Sequence, residues 1–209
     1  MDERSARLLT LGSAHLCDAL RACGRHFQAV DGGIRPVAAG MRVAGPAFTI
    51  RCYPGATWAM EKSLELAPPG SVLAVDGAGA ADVILMGGLM STRAKSRGIA
   101  GAVLDAAVRD VEDIIALNFP VFSRYVCPRA GTFAEIGEWQ TVICLGRVPI
   151  RPNDLIVADQ NGVVVVPIEL VDQVIEQASK IVHKEEALRK HLEAGRTFAE
   201  ALALMNGQS

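Results

Sequence analysis

Apolar and polar positions change their spacing along this chain, and the changes divide it into helical and β-type segments. The pattern over residues 3–23 predicts a helix that breaks at Gly12-Ser13, where the serine is expected to cap the second half. From Ile34 to Pro54 the apolar residues form short runs interrupted by glycine and proline, which is typical of strands. This part of the chain therefore predicts a kinked helix followed by β-structure.

Beyond Pro54, helical and strand patterns alternate. They predict helices near residues 56–66, 88–97 and 111–117, and strands at 71–75, 101–104 and 120–124. Later segments predict three strands, at 141–146, 155–159 and 162–167. They are followed by a long amphipathic helix at about 169–194 and by a short terminal helix. Val163 to Val166 is a continuous run of β-branched residues, so this strand is expected to be buried on both faces. The order predicts a layered α/β domain with mixed sheets, while periodicity alone leaves the strand order open.

Composition excludes several classes of protein. The chain has 209 residues, of which 50% are hydrophobic and 5% aromatic, and 21 basic against 23 acidic side chains give a net charge of −2. This size predicts a single domain over residues 1–209, and the near-neutral charge argues against a dedicated nucleic-acid binder. Every stretch without charged residues is too short to span a membrane, and the N-terminus lacks an apolar signal segment. A cytoplasmic location without membrane contact is expected.

Cysteine and histidine provide no recognisable site. The five cysteines are scattered and form no CxxC pair: Cys17, Cys23, Cys52, Cys127 and Cys144. This pattern favours buried free thiols over a disulfide framework or a zinc site. His15 is expected to pack beside Cys17 rather than bind a metal, and His183 and His191 lie too far apart on one helix to chelate together. Gly77-Ala78-Gly79 lacks the third glycine of a dinucleotide-binding loop.

Residues 82–110 contain the strongest candidates for chemistry. Gly87-Gly88 precede a helix, and the N–H groups at its start, over Gly88, Leu89 and Met90, form an anion site that needs no cationic side chain. A tight turn explains the same two glycines equally simply. The spacing leaves both interpretations open.

Arg109-Asp110 is ambiguous in a similar way. Asp110 precedes a helical segment and is a good N-cap, which leaves Arg109 as an ordinary surface charge. Alternatively, Asp110 supplies a carboxylate to a hard divalent cation while Arg109 binds an oxyanion. Nothing in the dipeptide itself decides between these hypotheses.

Six segments spread over nearly the whole chain make it resemble the RraA-like family: SAHLCDAL (13–20), GPAFTIRCYPG (45–55), PPGSVLAVDGAG (69–79), GGLMSTRAKSRGIAGAVLDAAVRD (87–110), NFPVFSR (118–124) and NDLIVADQNGVVVVP (153–167). That family contains a regulator of ribonuclease E and divalent-metal-dependent 4-hydroxy-4-methyl-2-oxoglutarate / 4-carboxy-4-hydroxy-2-oxoadipate aldolases. The resemblance implies a β/β/α swivelling-type sandwich assembled as a homotrimer or hexamer. Active sites would then lie between subunits, with the C-terminal helices of residues 169–205 packed on a neighbour.

The resemblance also implies roles for individual residues. Asp110 corresponds to the direct metal ligand and Arg109 to the residue that contacts the substrate and its developing enolate. The backbone of residues 87–90 (Gly87, Gly88, Leu89, Met90) would hold the pyruvoyl carboxylate. Glu185 would come from the C-terminal helix of a neighbouring subunit and join the metal site through water. Without the resemblance, Glu185 reads as part of a solvated helix face, paired with Arg189.

Two departures from the aldolase pattern stand out. The acid expected twenty residues before the Arg-Asp pair is absent, because that position is Gly88. After Pro54-Gly55 the chain reads Ala56, Thr57 and Glu61, where many relatives carry Asp-Asn and a histidine. Glu61 either reshapes the distal part of a substrate pocket or is a solvated helix residue near Lys62 and Glu65.

The implied activity is retro-aldol cleavage of a 4-hydroxy-2-oxo diacid, such as 4-hydroxy-4-methyl-2-oxoglutarate, to pyruvate with Mg²⁺ or Mn²⁺ as cofactor. Oxaloacetate decarboxylation is the natural side activity, because it passes through the same enolate. Two alternatives remain open: a regulator that binds ribonuclease E without catalysis, favoured by the missing acid at Gly88, and a related enzyme acting on another 2-oxo diacid.

Overall fold

The computed structural model describes residues 2–205. Its helices are α1 (Glu3–Ala22), α2 (Trp58–Leu66), α3 (Gly88–Ser96), α4 (Val111–Ala116), α5 (Val171–Glu193) and α6 (Phe198–Met205). Its strands are β1 (Arg35–Pro36), β2 (Val43–Arg51), β3 (Val72–Met86), β4 (Gly101–Val108), β5 (Val121–Val126), β6 (Glu138–Trp139), β7 (Ile143–Leu145), β8 (Val148–Ile150), β9 (Leu155–Asp159) and β10 (Gly162–Val166).

One mixed sheet organises the chain. Its strands follow the order β1-β5-β4-β3-β2-β9-β10, with β6 added beside β2, and β7 and β8 form a separate hairpin. Strands β2 to β5 pair in parallel, whereas β1, β6, β9 and β10 pair antiparallel with their neighbours. The mixed α/β domain predicted from the sequence is therefore confirmed.

Both faces of the sheet are covered by apolar side chains. Residues of α2 and α3, such as Met60 and Ala94, pack on one face of the parallel strands, and residues of the β7–β8 hairpin pack on the other. Along β10, Val163 and Val165 face the hairpin side, while Val164 and Val166 contact α1 and α5. These four valines are at most 3% exposed, which confirms the strand predicted to be buried on both faces.

The break predicted in α1 is confirmed, but its cap is not the one expected. Gly12 has φ 79° and ψ 157°, which interrupts the helix. Ser13 accepts no capping bond; instead its N–H and its hydroxyl both donate to the carboxylate of Asp159, at 2.8 and 2.7 Å. The prediction that Ser13 caps the second half was wrong, because an acceptor 146 positions away takes that role.

Strand β3 is longer than predicted, because it continues from the expected 71–75 segment as far as Met86. Its pairing with β4 shifts register three times after Asp76, so the extension lacks a regular strand pattern. A Cβ built on Gly77 would lie 2.6 Å from Leu85 Cδ1 and 2.7 Å from Ala106 Cβ. The glycine-rich segment is thus an irregular strand in close contact with its surroundings.

The long C-terminal helix packs on its own chain through its first half, where Val171, Val174, Ile175 and Ala178 contact α1 and β9–β10. The second half is largely exposed. Packing of residues 169–205 on a neighbouring subunit stays a prediction. No helix among residues 2–205 is long and apolar enough to cross a bilayer.

All five cysteines are free. Only Cys52 is fully buried, and burial raises the pKa of its thiol to about 12. Cys17, Cys23 and Cys127 are half-buried, and Cys144 is exposed. The prediction of free thiols is confirmed, while the expected burial holds for Cys52 alone.

Candidate functional site

The two most informative segments of the sequence meet at the carboxyl ends of β3 and β4. These strands are parallel neighbours, and their last residues, Met86 and Val108, lie opposite each other in the register. The residues that follow, Gly87-Gly88 and Arg109-Asp110, therefore leave the sheet side by side. This edge is where open α/β sheets usually bind ligands.

Asp110 has an unusual backbone conformation. Its φ of 55° and ψ of 46° are left-handed, and its side chain makes no capping bond to α4. The carboxylate instead crosses to α3, where Oδ2 accepts the backbone N–H of Gly88 at 3.0 Å. Asp110 therefore occupies the N-cap position of α4, as the sequence indicates, but its side chain does not cap that helix. A left-handed non-glycine residue costs about 1–3 kcal/mol. Five other non-glycine residues among residues 2–205 also have positive φ, so the conformation gains significance at Asp110 only together with its contacts to the cleft.

Close approach to Asp110 explains the glycine at position 87. Gly87 has φ −144°, an extended conformation open to any residue, so the tight-turn interpretation does not account for it. A Cβ built there would lie 2.7 Å from Asp110 Oδ2 and 3.2 Å from Arg109 Cγ. A side chain at position 87 would therefore displace the carboxylate.

The N-terminus of α3 retains only part of the anion site that the sequence predicts. Helix geometry leaves the N–H groups of Gly88, Leu89 and Met90 without partners inside the helix. The Gly88 N–H is already bound to Asp110, so two N–H groups are left for an external anion. The Leu89 side chain is 88% exposed at this point, which leaves the helix end open to solvent.

Arg109 carries a polar atom that nothing in the described chain satisfies. Its Nε is buried and has no hydrogen-bond partner among residues 2–205. Asp110 Oδ2 lies 3.4 Å away, an ion-pair distance without hydrogen-bond geometry. A buried donor left unsatisfied costs about 1–3 kcal/mol, more when it is charged. An oxyanion in the adjacent cleft would remove this cost.

An open cleft of about 490 Å³ lies beside these residues. Its lining combines the predicted residues with side chains from α2 and α3: Glu61, Leu64, Glu65, Ile84, Gly87, Leu89, Met90, Arg93, Arg109 and Asp110. The volume is in the range of small-molecule sites.

Glu61, on α2, lines this open cleft, and its influence on a substrate pocket stays a prediction. It is half-buried, and its Oε1 accepts the hydroxyl of Thr57 at 3.0 Å.

Sequence reasoning missed Arg93 and underrated Glu65. Arg93 Nε and Nη2 donate to the two carboxylate oxygens of Glu65 at 2.8 and 2.7 Å, which joins α3 to α2. This pairing holds the pKa of the Glu65 carboxyl below its usual value. The available signal was helical spacing, since Arg93 follows Leu89 by four positions and faces the same side.

The space beside Gly88 is occupied by another acid. A Cβ built on Gly88 would lie 2.9 Å from Asp113 Oδ2 and 3.3 Å from Asp110 Cβ. Asp113 is in the first turn of α4, and its carboxylate makes no hydrogen bond within residues 2–205. A carboxylate is therefore present where the side chain of residue 88 would begin.

Glu185 lies outside the cleft of its own chain. Its Oε2 is 3.0 Å from His15 Nε2, while His15 Nδ1 is 2.7 Å from the Leu11 carbonyl oxygen. The bond to the Leu11 carbonyl and the Glu185 carboxylate raise the pKa of His15. His15 therefore pairs with Glu185, and a contribution of Glu185 to a neighbouring site stays a prediction.

A single chain offers few ligands for a metal. Within residues 2–205, no three histidine, cysteine or acidic side chains gather closely enough to hold one. Asp110 nevertheless fits a hard cation that keeps most of its water, because it presents a carboxylate oxygen that makes no hydrogen bond within the described chain. Mg²⁺ typically binds in this way, through one or two carboxylates and substrate oxygens.

Comparison with known proteins identifies the family. The model for the RraA-like family, described as Aldolase/RraA, matches residues 13–165. The chain belongs to the RraA-like family.

This RraA-like chain is 37% identical over 174 residues to an uncharacterized protein of Methanocaldococcus jannaschii, covering 82% of this chain and 84% of that protein. It is 38% identical over 154 residues to a Halalkalibacterium halodurans protein provisionally named 4-hydroxy-4-methyl-2-oxoglutarate aldolase, covering 74% and 73%. Among solved structures, Streptomyces coelicolor RraAS2, described as an unusual member of the RNase ES inhibitor RraA family, has a TM-score of 0.84 at 28% identity. That match covers 91% of this chain and 98% of RraAS2.

Proposed function

We propose that this RraA-like protein is a divalent-metal-dependent pyruvate aldolase that cleaves a 4-hydroxy-2-oxo diacid, such as 4-hydroxy-4-methyl-2-oxoglutarate. The observation that carries the proposal is the pair formed by the left-handed Asp110 and the partnerless Arg109 Nε at one cleft. A protein-binding surface needs neither feature. The provisional name of the Halalkalibacterium relative supports the same reaction class.

Asp110 is the residue that would hold Mg²⁺ or Mn²⁺, through the carboxylate oxygen that Gly88 leaves free. The bound cation would act as a Lewis acid toward the 2-oxo acid. Gly88 fixes the orientation of the carboxylate through its N–H, and Gly87 leaves room for it. The backbone thus positions the ligand before any substrate arrives.

Arg109 and the start of α3 bind the pyruvoyl end of the substrate. The free N–H groups of Leu89 and Met90 donate hydrogen bonds to the carboxylate at the positive end of the helix dipole. The Arg109 guanidinium supplies a fixed positive charge where negative charge develops as the C3–C4 bond breaks. Its unsatisfied Nε is then hydrogen-bonded only when substrate is present.

Bond cleavage also needs a group that takes the C4 hydroxyl proton and one that later protonates C3. Asp113 presents a free carboxylate beside Gly88, and we assign it the place of the acid that is absent at that position. Glu185, contributed by a neighbouring subunit of a homotrimer or hexamer, is the second acid in the proposal. The same arrangement would decarboxylate oxaloacetate.

Pyruvate release from 4-hydroxy-4-methyl-2-oxoglutarate and from oxaloacetate, measured with Mg²⁺ and with EDTA, tests the proposal. We expect turnover that EDTA abolishes, loss of turnover in Asp110→Asn, and a smaller loss in Asp113→Asn. Glu3→Gln is the matched control, because it removes an exposed acid from the first turn of another helix, α1, that lines neither cleft beside Asp110. Full activity in EDTA would exclude the metal mechanism.

The second candidate is a regulator that binds ribonuclease E without catalysis. The absent acid at Gly88 and the likeness to RraAS2 favour it. A pull-down with the ribonuclease, together with no turnover on any 2-oxo acid, would replace the aldolase proposal with this one.

A further inference from the structure

The cleft has a second cationic group beyond the residues assigned above. Arg93 lines the same cleft as Arg109 and Asp110. It follows Leu89 by four residues on α3, so its Cα lies about 6 Å further along the helix axis from the N–H groups assigned to the pyruvoyl carboxylate. This separation is within the span of a five-carbon diacid.

Glu65 holds the Arg93 guanidinium in a defined orientation. Nε and Nη2 of Arg93 are bound to the two oxygens of Glu65, and Nη1 makes no hydrogen bond within residues 2–205. A bidentate pair fixes the plane of the guanidinium and leaves its other edge available. Arg93 is therefore oriented for a second carboxylate at little further cost in side-chain entropy.

Two guanidiniums share the Glu65 carboxylate. Arg97 Nε lies 4.0 Å from Glu65 Oε2, in addition to the Arg93 pair. Only Arg93 of the two arginines lines the cleft. Glu61 and Asp110 also line the cleft, and Arg93 and Arg109 are the only cations among the described residues of its lining that could bind a diacid.

We propose that Arg93, oriented by Glu65, binds the distal carboxylate of the substrate and selects dicarboxylic over monocarboxylic 2-oxo acids. This inference rests on the proposed function for the position of the first carboxylate. Arg93 contacts the substrate end that does not react, so its loss changes which acids bind rather than the chemistry at C3 and C4.

A purely structural role for the pair predicts a different outcome. An exposed ion pair contributes about 0–1 kcal/mol to stability and has no preference among ligands. If Arg93 only joined α3 to α2, its loss would shift the melting temperature slightly and weaken the binding of all 2-oxo acids equally. Selectivity is therefore the measurement that separates the two roles.

The test compares 2-oxoglutarate with 2-oxopentanoate, which differ only in the distal carboxylate. Binding is measured by calorimetry in Mg²⁺ for wild type, Arg93→Met, Arg93→Lys and the control Arg97→Met. We expect wild type and Arg97→Met to prefer the diacid by about 10- to 100-fold, as for a charge-assisted bidentate contact. Arg93→Met should abolish that preference, and Arg93→Lys should restore part of it.

Equal affinity of wild type for the two acids, or an unchanged preference in Arg93→Met, would overturn the inference. Turnover is followed separately with 4-hydroxy-4-methyl-2-oxoglutarate and the monoacid 4-hydroxy-2-oxopentanoate. Selective diacid binding without turnover would contradict the proposed function while supporting Arg93. Turnover with no preference between the two acids would support the proposed function and contradict the role of Arg93.

Discussion

Two arginine–aspartate pairs, one within β4 and β5 and one directly after β4, differ in how completely their side chains are hydrogen-bonded. Arg124 Nε binds Asp105, its Nη1 binds Asp31 at 3.0 Å, and the second oxygen of Asp105 accepts the Gly146 N–H at 2.9 Å. The side chains of Arg109 and Asp110 make a single hydrogen bond within the described residues, which Asp110 accepts from the Gly88 N–H. Exposure differs accordingly: 17% and 12% for the Arg124 and Asp105 side chains, against 38% for both Arg109 and Asp110.

The same combination of residues therefore has a structural role at Arg124 and a proposed catalytic role at Arg109. The Arg124 cluster connects β4 and β5 to the β7–β8 hairpin and gives Arg124 Nε and both oxygens of Asp105 a hydrogen-bond partner. The Arg109 pair keeps a strained backbone and an unsatisfied donor beside a cleft. An incomplete pair is costly to fold, and a ligand that completes it recovers that cost on binding.

The largest effect is expected for Asp110→Gly. If Asp110 holds the metal as proposed, its loss removes several kcal/mol of transition-state stabilisation, so turnover should fall on the order of 10³-fold. The melting temperature should stay within about 3 °C, because relief of the left-handed strain offsets the lost hydrogen bond. Calorimetry and a pyruvate assay measure the two quantities. A melting temperature lowered by 10 °C would show that the residue is structural.

Arg124→Met should have the opposite effect to Asp110→Gly, lowering stability while leaving turnover unchanged. The buried Asp105 would lose its arginine partner, which costs about 3 kcal/mol and lowers the melting temperature by about 10 °C, whereas Asp31 would keep Arg147 at 3.7 Å. Turnover at a temperature where the variant is folded should be unchanged. An unchanged melting temperature would contradict the structural role of this cluster.

Arg109→Lys is a more conservative substitution at the same site, and we expect a smaller loss of turnover. The ammonium keeps the charge but not the planar donor set, and we expect turnover to fall about 10²-fold, as when one donor to a developing oxyanion is removed. Stability should not decrease, because the Nε that is replaced makes no hydrogen bond in the described chain. Kinetics and a thermal melt test both statements, and loss of stability without loss of turnover would contradict them.

Asp159 extends the comparison to a carboxylate whose hydrogen bonds come from N–H and hydroxyl groups rather than from an arginine. Burial alone would raise its pKa, but the bonds from the Ser13 N–H and hydroxyl and from the Asn161 N–H, together with the positive charge of Arg42, outweigh burial and lower it. The resulting stability is complete above the unfolded pKa of about 4 and is lost as the pH falls through the lower folded value.

Asp159→Asn should therefore reduce the free energy of unfolding by about 2 kcal/mol at pH 7, with the difference from wild type shrinking toward pH 3. Thermal melts of both proteins across that range measure it. A difference that is constant with pH would show that the carboxylate charge is irrelevant.

Sequence patterns predicted those elements whose apolar residues carry a regular period. The Val163–Val166 strand and the break at Gly12 were recognised because each has a local cause. The second half of β3 was not, since its glycines and alanines pair with β4 through register shifts that no period records. The role of Ser13 was also missed, because its partner Asp159 is distant in the chain.

The candidate site shows the same limit. Resemblance named Arg109 and Asp110, but it gave no indication that Asp110 turns left-handed and bonds to Gly88. Arg93 was missed because its proposed role depends on its pairing with Glu65 of a neighbouring helix. Asp113 was missed because its proposed role depends on its position beside Gly88, where a Cβ would point. Such information exists only after the chain is folded.

Gly87 also has an evolutionary consequence. A Cβ at this position would meet the Asp110 carboxylate at 2.7 Å and the flexible Arg109 side chain at 3.2 Å, so Asp110 sets the stronger requirement for glycine. A lineage that loses Asp110 is released from the closest of these contacts and more readily accepts a side chain at 87. The two positions are therefore expected to covary among relatives, with glycine and aspartate retained together where catalysis is under selection and lost together where it is not.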